Sequence, residues 1–192
     1  MRPPRRPPPS PPIAVLLLVA CAHAPLTSPP APLEVPTIPE AQRRALAGTW
    51  VYSGGDVGLA DVDRAVEQAT AEMGFARGIA AAALQARARP RDSYTLRFDG
   101  STVSIVTPDY PTEQGIVGGP PVEVTDRFGD TNQTTFQLKD GALVEAGKST
   151  DGSGETIFTP GGDGRSLTVR QVMRSDRLSA PVDVTLSYRR QH

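Results

Sequence analysis

The sequence is poor in the residues that build metal centres, disulfide frameworks and nucleophile–base pairs. Its 192 residues include one Cys and two His. A single Cys excludes an internal disulfide, a four-cysteine zinc site and a CxxC redox pair. One His is His23 and the other is His192, the last residue, so a Ser–His or Cys–His catalytic pair is nearly excluded. We therefore expect no enzyme, no metal and no cofactor.

Proline is abundant but unevenly placed, since 13 of the 20 prolines lie in residues 1–40. Residues 1–12 contain three Arg and no acid, and residues 13–20 form an apolar run. A basic segment followed by about 7–15 apolar residues is typical of a secretory signal peptide, and this run is shorter than the roughly 20 residues that cross a bilayer. We expect residues 1–20 to be a signal peptide.

The apolar run ends at Leu18-Val19-Ala20-Cys21. This segment resembles the lipobox of bacterial lipoproteins, in which a small residue precedes the cysteine that becomes the lipid-bearing first residue. The resemblance implies lipidation at Cys21, whereas the alternative is an ordinary signal peptide with an incidental cysteine. Ala22 in place of Asp implies sorting to the outer membrane. The implied location is therefore a bacterial cell envelope, with the membrane as a partner through the lipid on Cys21.

A Pro-rich segment follows the cysteine. We expect residues 21–44 to be the lipidated Cys and a tether that prefers extended polyproline II, at about 3.1 Å per residue. Without residues 1–20 the chain has 17 basic and 21 acidic residues, which disfavours nucleic acid as a partner. Residues 45–192 remain as one β domain, long enough to bury a core.

One segment of that domain, at about 61–89, has helical periodicity. Its apolar residues recur at spacings of three or four, which gives one stripe: Val62, Val66, Ala69, Met73, Ala76, Ala80 and Ala83. Pro90 ends the helix. Gly74 and Gly78 each cost about 1 kcal/mol relative to Ala in a helix, so we expect a kink or break near them.

Beyond Pro90 the apolar residues alternate with polar ones, and Asp-Gly turns at 99–100, 140–141, 151–152 and 163–164 punctuate the pattern. With a first strand at 49–53, this pattern predicts about nine short strands in sequential antiparallel pairs. A meander of this length tends to close, because closure removes exposed edges. We predict a mainly β domain, an up-and-down barrel with one helical insertion after the first strand.

The first strand opens with Gly48-Thr49-Trp50, which resembles the GxW motif of lipocalins and related small barrels. In that family the Trp closes one barrel end and an Arg of the last strand packs on it. Arg190 has the same strand parity as Tyr188, so we predict that it faces inward and makes a cation–π contact with Trp50. Lipocalins carry their helix before the last strand, whereas the helical insertion here follows the first.

Two carboxylate pairs have the residue types needed for acid–base chemistry, Asp109 with Glu113 and Glu123 with Asp126. They lie in turns rich in Pro and Gly or at a strand end, so we expect solvated loop acids. Residues 151–155 are interpreted as a hairpin turn, because a calcium loop would need a third ligand position and a distant Glu that are absent.

Two non-catalytic functions remain. The first is a structural or interaction role at the envelope, with loops such as 108–121 presented to another envelope protein. The alternative is binding of a small apolar ligand inside the barrel, whose interior we expect to include Trp50, Tyr52, Tyr94, Phe98 and Phe136. Small barrels either fill with side chains or hold one small ligand. We favour the first function, because the chain has only ten aromatic residues and its core needs most of them.

Overall fold

Residues 37–191 are described by the computed structural model. Within this range the chain forms three α-helices, one 3-10 turn and ten strands. The helices are α1 (Glu40–Leu46), α2 (Gly55–Ala69) and α3 (Arg77–Ala88), and the 3-10 turn is Gly74–Ala76. The strands are β1 (Gly48–Tyr52), β2 (Ser93–Asp99), β3 (Thr102–Val106), β4 (Glu113–Ile116), β5 (Val122–Thr125), β6 (Thr131–Lys139), β7 (Ala142–Lys148), β8 (Ser153–Pro160), β9 (Ser166–Arg174) and β10 (Val182–Arg190).

All strands pair antiparallel in the order β4-β3-β2-β1-β10-β9-β8-β7-β6-β5. The sheet approaches closure where Val117, directly after β4, pairs with Phe136 of β6 and Gly118 N donates to Phe136 O at 2.7 Å. Gly115 permits this approach, because a Cβ at that position would lie 2.5 Å from Cδ2 of Phe136. The barrel is therefore nearly closed. The predicted mainly β up-and-down barrel, with its helical insertion after the first strand, is confirmed.

The helical insertion is two helices, and it begins at Gly55 instead of near residue 61. Tyr52 sets this start, because its hydroxyl donates to Gly55 O at 2.9 Å. The break expected near the glycines lies between Ala69 and Arg77, and Gly74 at φ +55° supplies the left-handed backbone there. A local contact from Tyr52 thus accompanies the start of the insertion, and Gly74 lies at its division.

Two elements were missed by the sequence prediction. Helix α1 lies partly inside the range 21–44 that we predicted as tether, and Ile38 before it is buried in the core. Its packing comes from a tertiary contact, since Trp50 Nε1 donates to Leu46 O at 2.9 Å. Strand β4 lies inside the predicted loop 108–121, so part of that loop is barrel wall.

Because consecutive strands alternate in direction, the turns gather at two ends of the barrel. The β2–β3, β6–β7 and β8–β9 turns lie at the end where β1 begins, with Trp50 nearby. The β3–β4, β5–β6, β7–β8 and β9–β10 turns lie at the other end, where α2 and α3 cross. There Ser179 N donates to Ala69 O at 2.9 Å, and Arg87 forms an ion pair with Asp130. In the described part of the chain, no helix is long and apolar enough to span a membrane.

Candidate functional site

The structure brings Trp50 and Arg190 together as directly paired residues of β1 and β10. Trp50 is fully buried, and the guanidinium carbon of Arg190 lies 4.1 Å from the centre of its ring system. Arg190 also donates from Nε to Gly164 O at 2.9 Å and from Nη2 to Ala45 O at 2.8 Å. A planar guanidinium can stack and donate at the same time. This pair therefore ties the last strand, the β8–β9 turn and α1 together and closes one barrel end.

Beneath α3 and the segment that precedes it, at the opposite end, lies a cavity of about 580 Å³. Its roof is formed by apolar residues of the helical segment, among them Met73, Ala80 and Leu84. Its floor and walls come from inward-facing positions of the strands: Tyr94, Glu113, Glu145, Gly147, Gly154 and Gln171. Gly147 and Gly154 are paired with each other on β7 and β8, and their lack of side chains leaves space inside the barrel. Pockets of about 300–1,000 Å³ hold small molecules.

Ion pairs surround the cavity at its mouth. Arg174 lies 3.1 Å from the Glu155 carboxylate, and Arg177 lies 3.1 Å from the Asp151 carboxylate. Arg87 of α3 pairs with Asp130 of the β5–β6 turn and packs its guanidinium 4.3 Å from the Phe128 ring centre. Each of these three cavity-lining arginines therefore has a carboxylate partner at the mouth.

Arg91, between α3 and β2, turns its side chain toward Tyr110. Its guanidinium carbon lies 3.9 Å from the Tyr110 ring centre, Nη1 donates to the Tyr110 hydroxyl, and Nη2 donates to Arg87 O at 3.1 Å. Arg127 stacks on the same ring at 4.4 Å. These contacts engage both terminal nitrogens of Arg91 with the protein and fix its head beside the mouth.

A network of neutral groups lies deeper in the barrel. Gln171 Nε2 donates to the Tyr94 hydroxyl at 3.1 Å, and both residues are buried. The Tyr94 ring packs edge-on against Phe158 at 5.1 Å and against Tyr188 at 5.3 Å. Burial raises the pKa of Tyr94 and that of Tyr188 well above the ordinary tyrosine value. Both phenols therefore stay protonated across the physiological pH range.

Two carboxyl groups complete the interior. Glu145 of β7 is hydrogen-bonded to Glu113 of β4, although the two strands are not neighbours in the sheet. Burial raises the pKa of Glu145 well above its ordinary value, and the charge of Glu113 raises it further, while Arg91 lowers it. A hydrogen bond between two carboxyl groups needs a proton, and the raised pKa of Glu145 favours retention of that proton by the pair.

The position of Glu113 corrects the sequence interpretation. We expected a solvated loop acid, but the residue belongs to β4 and lines the cavity, because the wall continues through the predicted loop. Glu145 was not singled out, although it alternates with buried Leu143 on one face of β7, and that parity is a usable signal. Asp126 is a turn acid whose Oδ1 accepts from the backbone N–H groups of Phe128 and Asp130 at 2.8 and 2.9 Å.

Of the five aromatic residues expected inside, Tyr94 lines the cavity. Trp50 and Phe136 are buried in the core, Phe98 is partly buried against it, and Tyr52 packs edge-on against Tyr188 at 5.6 Å. Much of the aromatic content therefore fills space instead of facing a ligand. Cys21 lies outside the described residues. Among residues 37–191, no group of three or more Asp, Glu, His or Cys side chains has an arrangement suited to a metal ion.

Comparisons with known proteins identify the fold. No protein-family model matches the chain, and no curated protein matches its sequence. A Schistosoma mansoni fatty acid binding protein in complex with arachidonic acid is similar in structure, with a TM-score of 0.50 and 12% identity over 79% of this chain and 99% of that one. Caenorhabditis elegans lipid binding protein 8, crystallised without ligand, has a TM-score of 0.52 and 10% identity over 77% of this chain and 96% of that one.

At these identities the likeness speaks for the fold alone. Both matched structures are covered almost completely, so the similarity extends around the whole barrel. The placement of the helical pair after the first strand, which departs from the lipocalin pattern, is the arrangement of the fatty acid binding protein type. Residues 37–191 therefore share the fold of these two barrels, a nearly closed antiparallel up-and-down β-barrel with a pair of helices after the first strand.

Proposed function

We propose that this protein binds a small apolar ligand in the cavity beneath α3 and the segment that precedes it. The observation that carries the proposal is the cavity itself, about 580 Å³ in volume, with an apolar roof, polar groups on its walls and ion pairs at its mouth. A barrel with a purely structural role has no need of this space. The cavity therefore favours ligand binding over the structural or interaction role that the shortage of aromatic residues suggested.

Ligands of structurally similar barrels support the same choice. The Schistosoma mansoni protein named above is a fatty acid binding protein and was crystallised with arachidonic acid. For this chain we propose the wider class of apolar molecules small enough for the cavity. The role is non-catalytic, since residues 37–191 contain neither Cys nor His to pair as nucleophile and base.

We further propose that the binding domain is carried to the bacterial cell envelope and anchored there by lipid on Cys21. The support is the order of features in the sequence, with basic residues, an apolar run, a small residue and the only Cys. Each buried methylene contributes about 0.8 kcal/mol, so a cysteine with two or three acyl chains stays in the membrane. Ala22 favours the outer membrane, and the prolines from Pro25 to Pro36 favour an extended tether ahead of the buried Ile38.

Native mass spectrometry of protein purified from its own membranes, followed by lipid extraction, tests the binding proposal. We expect an apolar molecule at near-stoichiometric amount, and a protein that is always empty would contradict us. Gly154→Phe is the matched variant: the nearest atom to a Cβ there is Val172 O at 3.8 Å, so the ring enters the cavity without a backbone clash. We expect Gly154→Phe to lose the ligand and Thr168→Phe, on the outer face of β9, to keep it.

Cys21→Ser tests the anchoring proposal separately. The variant is expected to leave the membrane fraction and to lose labelling by radioactive palmitate, while its barrel still binds ligand. If Cys21→Ser still sediments with membranes and still takes up the label, the lipoprotein assignment is wrong and the binding proposal is unaffected.

A further inference from the structure

The polar wall of the cavity indicates which head group the ligand carries, an inference that rests on the proposed function. The acids and arginines at the mouth are already paired, as Arg174 with Glu155 and Arg177 with Asp151. Arg91, Glu113 and Glu145 line the same cavity, and the charges of Arg91 and Glu113 both act on Glu145. If both carboxyl groups were ionised, these three residues would together carry one excess negative charge.

The contacts of Arg91 make it a poor receptor for an anion. Its two terminal nitrogens donate to the Tyr110 hydroxyl and to Arg87 O, and its flat face is stacked on the Tyr110 ring. A carboxylate ligand would have to share Arg91 with these contacts, and it would lie as a third acid in the cavity that Glu113 and Glu145 line. Like charges in a poorly solvated site repel strongly, so this arrangement disfavours an anionic head group.

A cationic head group, in contrast, is favoured by the carboxyl groups of the cavity. The carboxyl oxygens of Glu113 and Glu145 accept hydrogen bonds, and they project from β4 and β7 into the same cavity. An ammonium group has three donors and no acceptor, which matches a pair of carboxylates once the shared proton has left. Its positive charge replaces that proton and balances the excess negative charge of the interior.

We propose that the cavity selects an apolar ligand with an amine head group, held as an ammonium ion between Glu113 and Glu145. The alkyl or aryl portion then lies under Met73, Ala80 and Leu84 of the helical roof. Binding forms no covalent bond, and the proton shared by the two carboxyl groups is released to solvent as the ammonium enters. The head-group preference is therefore the reverse of that of a barrel built for fatty acids.

The test compares dodecylamine, dodecanol and dodecanoic acid, which share one chain length and differ in head group. Each competes with N-phenyl-1-naphthylamine for the purified Cys21→Ser protein at neutral pH, below its micelle-forming concentration. We expect dodecylamine to bind at least about tenfold more tightly than dodecanoic acid, with dodecanol between them. Equal affinities, or a preference for the acid, would overturn the proposal.

Variants of the wall residues test whether Glu113 and Glu145 cause the preference for the amine. Glu113→Gln/Glu145→Gln removes both acids with little change of shape, and it is expected to abolish the advantage of the amine. Glu123→Gln removes an exposed acid of β5 and is expected to keep that advantage. A double variant with the wild-type preference would contradict the assignment. If neither the dye nor any of the three compounds binds the wild-type protein, the proposed function fails as well, so the two failures are distinguishable.

Discussion

Glu113 of β4 and Glu145 of β7 share a hydrogen bond inside the barrel, near the place where Val117 pairs with Phe136 and the sheet approaches closure. The bond joins the edge strand β4 to β7 through the cavity, so it marks both the closure of the barrel and the chemistry of its interior. Such a pair is costly to ionise, and this cost has consequences for stability that substitutions can measure.

Glu145→Gln is expected to stabilise the protein at neutral and alkaline pH. Burial raises the pKa of Glu145 above its ordinary value of 4.5, so the unfolded chain ionises first as the pH rises. Wild-type stability should fall as the pH rises from that value through the raised pKa, and the amide removes this fall. Urea unfolding across the pH range measures it, with Glu123→Gln as control. Identical profiles for all three proteins would contradict the shared proton.

Arg190→Ala is expected to lower the free energy of unfolding by about 2–4 kcal/mol, from lost charged hydrogen bonds and the cation–π contact. The contacts removed are those to Trp50, Gly164 O and Ala45 O. Arg189→Ala is the control, because its side chain is exposed on the outer face of the same strand, and it should cost no more than about 0.5 kcal/mol. Equal losses for the two variants would show that Arg190 has no special role.

Gly74 and Gly78 are expected to respond in opposite directions to substitution by alanine. Gly78 lies inside α3, and a Cβ there meets no atom within 4 Å. Gly78→Ala should therefore stabilise by about 0.5–1 kcal/mol through helix propensity. Gly74 has φ +55°, so Gly74→Ala should destabilise by about 1 kcal/mol. Denaturant midpoints of the two variants measure this contrast, and a shift of the same sign in both would contradict it.

Asp163 in the β8–β9 turn is expected to contribute to stability in acid. Hydrogen bonds from the backbone N–H of Arg165 and from the N–H and hydroxyl of Ser166 lower its pKa from 3.8 to about 2. The contribution is present above pH 3.8 and is lost as the pH falls toward 2. As the pH falls from 3.8 to about 2, the melting temperature of Asp163→Asn should fall less steeply than that of the wild-type protein. Asp99→Asn, in another hairpin, should keep the wild-type slope. If the melting temperature of Asp163→Asn fell with pH as steeply as that of the wild-type protein, stabilisation of the Asp163 carboxylate by these hydrogen bonds would be contradicted.

Much of the fold could be predicted because its causes are local. Alternating residues and Asp-Gly turns specify sequential hairpins, and positions such as Asp140 and Gly141 adopt the positive φ angles that tight turns need. Strand parity likewise places Arg190 on the face of Tyr188. Strand β4 was not predicted, because its short sequence, Glu-Gln-Gly-Ile, has no apolar alternation. The space left by Gly115 beside Phe136 helps hold the strand in the barrel.

The cavity could not be predicted in the same way. Its existence depends on how the strands curve and on where α2 and α3 cross, which are tertiary properties. Glu145 sits at an inward position of β7, and this parity alone marks it as unusual, but its partner Glu113 comes from the missed strand. Composition suggested a filled barrel, yet Gly147 and Gly154 face each other across β7 and β8 and keep part of the interior open.

The central claim is that the space beneath the helices is a binding site. Fluorescence titration of the Cys21→Ser protein with N-phenyl-1-naphthylamine tests it most directly, with Gly154→Phe and Thr168→Phe added in turn. The account predicts saturable binding at one site, loss of that binding in the Gly154→Phe protein with its circular dichroism unchanged, and full binding in the Thr168→Phe protein. Absence of saturable binding in the Cys21→Ser protein, or undiminished binding in the folded Gly154→Phe protein, would contradict it.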